Sequence, residues 1–107
     1  MPKPTTKILS ISDLHEKITE FDFDQYQKII CTNIQRIRKE LYNNFKVTYN
    51  SSFNPYSIEN IASTLGINID YYMRMESPNN IKRPINLKNL LKIVLIFDRD
   101  IGEFLKK

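Results

Sequence analysis

Gly66 stands between two short groups of apolar residues near the middle of the sequence, and a residue that commonly caps helices precedes each group. Ser57 is placed to begin a first helix, Gly66 to end it in the left-handed conformation, and Asn68 to begin a second. The second helix is predicted over about residues 69–77, where a Ser-Pro-Asn-Asn run begins to break the pattern. Two short helices joined by a tight turn are therefore predicted here.

The residue types in this pair fit two helices that cross closely. Ala62 is small at the crossing, and Gly66 has no Cβ to clash in a left-handed turn. Inward-facing positions are predicted at Ile61, Leu65, Ile67, Tyr72 and Met75, and the outward face of the second helix is left with Ile69, Asp70, Met73 and Arg74. In a basic chain of short helices, such a pair is typical of a helix-turn-helix.

A longer helix is predicted before this pair. Apolar residues recur every three or four positions from Tyr26 to Phe45, after a capping-box pattern at Asp22 and Gln25. The other face of this helix is expected to meet water or a polyanion, and it carries Gln27, Asn33, Gln35, Arg36, Arg38 and Lys39. Turn-forming residues follow, so an enlarged loop is predicted at about residues 42–55.

Two further helices are predicted towards the end of the chain. Asn86 precedes an apolar helix that reaches Phe97 and is expected to be central to the core, and Asp100 with Glu103 forms another capping-box pattern. Residues 1–21 are predicted to be an N-terminal arm with a short helix after Ser12, and residues 22–107 a single domain. The expected fold class is therefore all-α: a compact bundle of five core helices containing the helix-turn-helix, with an extra N-terminal helix or arm.

Composition argues against several classes of function. The 107 residues include two glycines, one histidine and one cysteine, so neither a phosphate-binding glycine loop nor a Cys/His metal cluster is expected. His15 and Cys31 have no companion nucleophile or ligand nearby in sequence, and are interpreted as a surface histidine and a small buried hydrophobe. No catalytic residue, metal or cofactor is assigned.

Apolar runs and cysteine usage indicate where the protein acts. The longest apolar patch, residues 93–97, is far too short for a membrane span. With one cysteine and no apolar run of signal-peptide length at the start, a cytoplasmic protein is expected.

The basic residues are unevenly distributed. The formal net charge is +4, made up of −1 before residue 31 and +5 from there onwards. The positive charge therefore belongs to the part of the chain that contains the two short helices, and it favours an acidic partner.

Five segments of the chain form a pattern when taken in order: NIQRIRK at 33–39, SIENIASTLGI at 57–67, YYMRME at 71–76, Pro84 followed by LKNLLKI at 87–93, and DIGEFL at 100–105. Together they resemble the Cro/CI family of helix-turn-helix regulators, also called XRE-type regulators. The resemblance implies a bundle of five helices whose third helix, here about residues 69–77, lies in the major groove of DNA. Two features depart from the family: the enlarged loop, where the family has a short turn, and Asp70, where a neutral polar residue is commoner.

The resemblance also implies candidate DNA contacts. Carried over position by position, it puts Ile69, Asp70 and Arg74 where the family reads bases, and an arginine can bind a guanine edge through two hydrogen bonds. Phosphate contacts are expected from basic side chains near the motif and from one tyrosine hydroxyl: Arg36, Arg38, Lys39, Lys82, Arg83 and Tyr71. Glu76 resembles a family position where the acid is structural, for example by pairing with an arginine.

Each of these contacts has a structural alternative. Arg74 could be solvated or paired with Glu76 or Asp70. Asp70 could accept a hydrogen bond from cytosine, but an acid also stabilises the start of a helix and repels phosphates, and the structural interpretation is preferred. The basic residues of the long helix could form a solvated face.

The predicted function is sequence-specific binding of double-stranded DNA by a transcriptional regulator that acts as a repressor and as a homodimer, with no membrane partner. The alternative is a helix-turn-helix used as a protein-binding module, such as an antirepressor, an antitoxin or an inhibitor. The outward-facing Ile69, Asp70 and Met73 favour this alternative. The acidic segment before Asp22 is expected to pack on the body or on a second subunit.

Overall fold

Six helices follow one another along the chain in the computed structural model, which describes residues 10–79 and 84–107. They are α1 (Ile11–Thr19), α2 (Phe23–Tyr49), α3 (Ile58–Leu65), α4 (Ile69–Met75), α5 (Leu87–Phe97) and α6 (Ile101–Phe104). The described residues contain no strand, so the prediction of an all-α fold is confirmed.

Every helix except α1 contributes to one hydrophobic core. Its buried members are Ile34, Ile37, Ile61, Ala62, Leu65, Tyr72, Met75, Leu90, Ile93, Phe97 and Phe104. Three of them come from α5, which is therefore central as predicted. However, α5 is not covered all round, because Leu87, Leu91 and Leu95 lie exposed on one face.

Side-chain caps set most of the helix starts. The side chains of Ser57, Asn68 and Asn86 accept hydrogen bonds from the backbone N–H three residues further on, at 3.1, 2.7 and 2.8 Å. Asp22 begins α2 in the same way, with 3.2 Å to the N–H of Gln25.

Two predictions about helix starts are wrong. The cap of α1 is Ser10 and not Ser12: Ser10 and Asp13 each accept a hydrogen bond from the other's backbone N–H. Asp100 makes no capping hydrogen bond, so the Asp100 and Glu103 pattern does not form a capping box.

The enlarged loop predicted at about residues 42–55 is also partly wrong, because α2 continues to Tyr49 and ends at Asn50, whose φ of 45° is left-handed. The rings of Phe45 and Tyr49, four residues apart, lie 4.5 Å apart between centroids. Such a pair supports a helix. The residues that suggested a loop cost only tenths of a kcal/mol each in a helix, about 0.7 at most.

The connection from α2 to α3 is held by one buried amide. The Asn54 side chain donates to the carbonyl of Tyr42 at 2.9 Å and accepts from the N–H of Tyr56 at 3.0 Å. The Asn60 side chain donates to the carbonyl of Asn54 at 2.7 Å. The start of α3 is thereby fixed against α2.

The polar face predicted for the long helix is not a solvent face throughout, because Gln27, Asn33 and Arg38 are buried. The Asn33 amide donates to the carbonyls of Phe104 and Lys106 at 2.9 and 2.8 Å, and so holds the end of the chain against α2. Arg36 and Lys39 are exposed. This error arose because a long helix inside a bundle meets neighbours on more than one side.

None of the residues of α1 is buried, so α1 itself does not pack on the body within one chain, while residues 1–9 of the same predicted segment lie outside the described residues. Beyond its end, Phe21 stacks on Tyr26 with 5.4 Å between ring centroids. His15 is exposed and Cys31 is buried, as predicted, and burial raises the pKa of the Cys31 thiol. Within the described ranges, no helix has the length and apolar character that a membrane crossing requires.

Candidate nucleic-acid interface

A three-residue turn joins α3 to α4. Gly66 has φ 74°, in the left-handed region, as predicted. The N–H groups of Gly66 and Ile67 donate to the carbonyls of Ser63 and Ala62 at 3.1 and 3.0 Å, which closes the end of α3. A Cβ on residue 66 would meet no atom within 4 Å, so glycine is needed here for its conformation and not for space.

One face of α4 is anchored in the core. Tyr72 and Met75 are buried, as is Ala62 on α3, while Ile67 in the turn packs against the core and is partly buried. Lys92 of α5 donates to the carbonyl of Leu65 at 3.4 Å, at the end of α3. The turn and both helices are therefore packed against the core.

The opposite face of α4 is open to solvent. Ile69, Asp70, Met73 and Arg74 are all exposed, so the three base-contact candidates share one accessible surface. In the part of the chain that the structure describes, neither Asp70 nor Arg74 forms an ion pair, although they lie four residues apart. The guanidinium of Arg74 is thus not neutralised within its own helix.

Tyr71 lies at the edge of this surface. It is partly buried, and its hydroxyl oxygen lies 3.5 Å from the amide nitrogen of Asn89 on α5, which donates to it. A tyrosine hydroxyl that accepts one hydrogen bond still has its own proton to donate. The arrangement orients the hydroxyl and leaves it able to bind a phosphate oxygen.

Arg38 does not lie on this surface, which corrects its prediction as a phosphate contact. It is buried and bonds both carboxylate oxygens of Glu76, through Nε to Oε2 and through Nη2 to Oε1, the second at 3.1 Å. Its Nη1 donates to the carbonyl of Tyr56 at 3.2 Å. A buried guanidinium is stable only with such partners, and Arg38 is therefore a structural residue. The structural pairing expected for Glu76 is confirmed.

The buried pair changes the titration of its neighbours. Burial alone would lower the pKa of the Arg38 guanidinium, but the Glu76 carboxylate outweighs this and raises that pKa above its ordinary value. The Tyr72 hydroxyl lies in the same buried region, and burial together with the charge of Glu76 raises its pKa far above the ordinary value. Arg38 therefore stays charged and Tyr72 neutral at any physiological pH.

The remaining phosphate candidates are spread out. Arg36 pairs with Glu40 at 2.9 Å and lines a cavity of about 280 Å³ with Asn33, Arg99, Glu103, Lys106 and Lys107, at the α6 end of the bundle. The contacts of Arg36 are thus on a different side of α2 from Arg38. Lys39 is exposed, while Lys82 and Arg83 fall outside the described residues.

Sequence reasoning missed the residues that position α3, and through it α4, from a distance. Asn54 was placed in a loop but given no structural role, and Lys92 was given none either. Arg38 did leave a signal, since it follows Ile34 by four residues and precedes Leu41 by three, which puts it on the apolar stripe of α2. A charged residue on such a stripe indicates a buried partner.

Comparisons of the chain with models of protein families, with curated proteins and with solved structures find no match. In residues 10–79 and 84–107, no group of His, Cys, Asp and Glu side chains is arranged to hold a metal ion.

Proposed function

We propose that the protein is a transcriptional regulator of the Cro/CI type, a repressor that binds double-stranded DNA sequence-specifically through α4. The observation that carries the proposal is the exposed face of α4, which presents an Arg74 that has no ion-pair partner among the described residues, on a helix that is capped at its start and tied to α2 at its end. The Asn68 cap holds its start, and the Arg38 and Glu76 pair holds its end.

A rigid helix suits recognition of bases because each hydrogen bond to a base edge requires a fixed direction. The α4 helix has seven residues and is about 10 Å long, a length that the major groove admits. Arg74 is the main candidate to read a guanine, and the Tyr71 hydroxyl and exposed Lys39 are candidates for phosphate contacts.

Repression and dimerisation belong to the same proposal. One α4 helix covers only a few base pairs, so a single copy has little sequence to read, whereas a homodimer binds two half-sites about one helical turn apart. Binding of a dimer to such a site excludes other proteins from the same DNA. We place this activity in the cytoplasm.

The test is selection of duplexes from a randomised pool by the full chain, followed by binding measurements on the selected sequence. We expect an enriched, two-fold-symmetric sequence. In the Arg74→Ala variant each half-site loses one bidentate base contact, so binding should weaken by about 5 to 150 times per half-site.

Arg36→Ala is the matched control, because it removes the same charge from the α6 side of α2. If the proposal holds, this control weakens binding much less and leaves the preferred sequence unchanged. Absence of any enriched sequence, or equal effects of the two variants, contradicts reading by α4.

A second candidate is a protein-binding module, favoured by the exposed Ile69 and Met73, which flank Asp70 on α4. An apolar surface with one acid resembles a protein contact more than a phosphate contact. Capture of a specific protein by the parent and not by a Met73→Asp variant, with no selected DNA, would support this candidate.

A further inference from the structure

A stripe of three leucines on α5 faces solvent. Leu87, Leu91 and Leu95 follow one another at four-residue intervals, so they lie on one face of the helix. Their exposed fractions are 67%, 49% and 78%, although the opposite side of α5 contributes Leu90, Ile93 and Phe97 to the core. Exposed apolar surface arranged as a stripe, and not scattered singly, is typical of an interface.

A second apolar face lies on α1. Ile11, Leu14 and Ile18 recur at helical spacing with exposed fractions of 76%, 49% and 75%, and His15 lies among them. This helix is well formed, with a capping box at its start, yet none of its residues is buried against the described part of the chain. A short amphipathic helix gains most of its stability from packing its apolar face.

The two faces match in length. Ile11 and Ile18 are seven residues apart, or about 10 Å along a helix, and Leu87 and Leu95 are eight apart, or about 12 Å. Each face thus offers about two turns of apolar side chains. Within one chain the two faces do not cover each other, because both are exposed.

The charges of the two segments are opposite at one end of the stripe. Lys88 is exposed and stands three residues before Leu91, whereas the Leu95 end of the stripe lies beside Asp98, Arg99, Asp100 and Glu103. Residues 10–24 carry five acidic side chains and one lysine. The acidic residues of this segment are therefore attracted to the Leu87 and Leu91 end of the stripe.

Charge also argues against either face pairing with its own copy. An antiparallel, two-fold pairing of α5 about Leu91 would bring Lys88 close to Lys92 of the partner subunit. A pairing of α1 with α1 would bring two acidic segments together. Pairing of α1 with α5 avoids both of these repulsions.

We propose that two copies of the chain form a dimer by exchange, in which α1 of each subunit packs its apolar face on the leucine stripe of the other. The dimer contains two identical contacts related by a two-fold axis. This inference does not rest on DNA binding, and it assigns the acidic N-terminal helix to the second subunit.

The first test is sedimentation equilibrium of the full chain over a wide range of concentration, without DNA. Ile18→Asp on α1 and Leu95→Asp on α5 should each raise the dissociation constant of the dimer by about tenfold or more, because each would bury a charge in an apolar contact. Val47→Asp is the control: its side chain is 84% exposed near the end of α2, a helix that carries neither face. It should leave the dimer unchanged.

The second test mixes the two variants. The Ile18→Asp chain retains its leucine stripe and the Leu95→Asp chain retains its α1 face, so the mixture can form one intact contact. We expect a heterodimer that is tighter than either variant alone. Pairing of α5 with α5, or of α1 with α1, would leave a charge in the only contact of the mixed dimer and would show no such recovery.

All mutated residues are exposed, so circular dichroism should show unchanged helix content in each variant. A parent chain that stays monomeric overturns the proposal. So does a dimer unaffected by either variant, or a mixture that does not recover.

Discussion

Arg38 and Glu76 lie 38 residues apart in sequence and form a buried, two-point ion pair that fixes the last turn of α4 to α2. The exposed surface of α4 begins within two residues of this pair, at Arg74. The position of the candidate reading helix therefore depends on an interaction that DNA does not touch.

Removing one partner of this pair should destabilise the fold severely. Arg38→Ala leaves the Glu76 carboxylate buried without its counter-charge, and the expected loss in free energy of unfolding is about 3–5 kcal/mol. Urea denaturation measures it. The double variant Arg38→Met with Glu76→Met should recover a large part of the loss, because it leaves no unpaired charge. A loss below about 1 kcal/mol for Arg38→Ala, typical of exposed pairs, would mean that the pair is open to water.

The two glycines provide a test of the turn and its control, because Gly66 lies in the turn and Gly102 lies in a helix. Gly66 has a positive φ, and Gly66→Ala should destabilise the protein by about 1 kcal/mol, with Gly66→Val costing about 1–3 kcal/mol because a β-branched residue fits that region poorly. Gly102 lies within α6 without a positive φ, and an added Cβ there meets nothing within 4 Å. Gly102→Ala should therefore be neutral or stabilising, by up to about 1 kcal/mol. Equal melting temperatures for Gly66→Val and the parent would contradict the turn at residue 66.

The parts of the fold that sequence predicted well are those governed by neighbours in sequence. The caps at Ser57, Asn68 and Asn86 and the left-handed Gly66 depend on groups within four residues, so local patterns contain the necessary information. The Arg38 pair and the Asn33 bonds to the end of the chain depend on how α2 is rotated against distant helices. Periodicity alone does not supply that rotation.

The exposed face of α4 was predictable from the sequence, because it depends on the local helical period. The outward face of α4 follows once Tyr72 and Met75 are assigned to the core, and all three base-contact candidates lie on it. The phosphate-contact candidates are less well gathered, because they come from different elements. Arg38 is buried in the core, and Arg36 lies on the α6 side of α2.

Acid should weaken the start of α1 through Asp13. The hydrogen bond from the Ser10 backbone N–H at 3.0 Å, with that of the Ser10 hydroxyl, lowers the pKa of Asp13 below its ordinary value. Because the pKa is lower in the folded helix, the stabilisation is complete above the ordinary aspartate range and disappears as pH falls through the lowered value. A pH titration followed by NMR measures the pKa of Asp13 and, from the backbone chemical shifts, the helix content of α1.

Two substitutions at Ser10 separate the contributions to this shift. Ser10→Ala keeps the backbone N–H, which is the larger cause, and should leave most of the shift. Ser10→Pro removes the N–H while its φ of −78° suits proline, and should return the pKa of Asp13 to its ordinary value. An unchanged pKa in Ser10→Pro would show that another group lowers it.

Binding to duplex DNA should weaken steeply with salt if the proposed function holds. Each neutralised phosphate contributes a slope of about −0.9 to the logarithm of affinity against the logarithm of salt concentration. We expect a slope of about −4 to −8 for a dimer, measured by fluorescence anisotropy. A flat response would exclude phosphate contacts and favour the protein-binding alternative.

Arg74 and Asp70 should have opposite effects on DNA binding, because both are exposed on α4 and neither is paired within the described chain. Arg74→Ala should cost about 1–3 kcal/mol for each half-site of the selected sequence and relax the preference at one base pair per half-site. Asp70→Asn removes a charge that repels phosphates, so binding to all DNA should tighten. The gain should be largest for non-specific DNA, which lowers the specificity ratio. Affinities for the selected duplex and for a scrambled duplex, measured at one salt concentration, give the specificity ratio of each variant. If both variants bind every duplex as the parent does, and both lose a protein partner in a pull-down, α4 is a protein-binding surface.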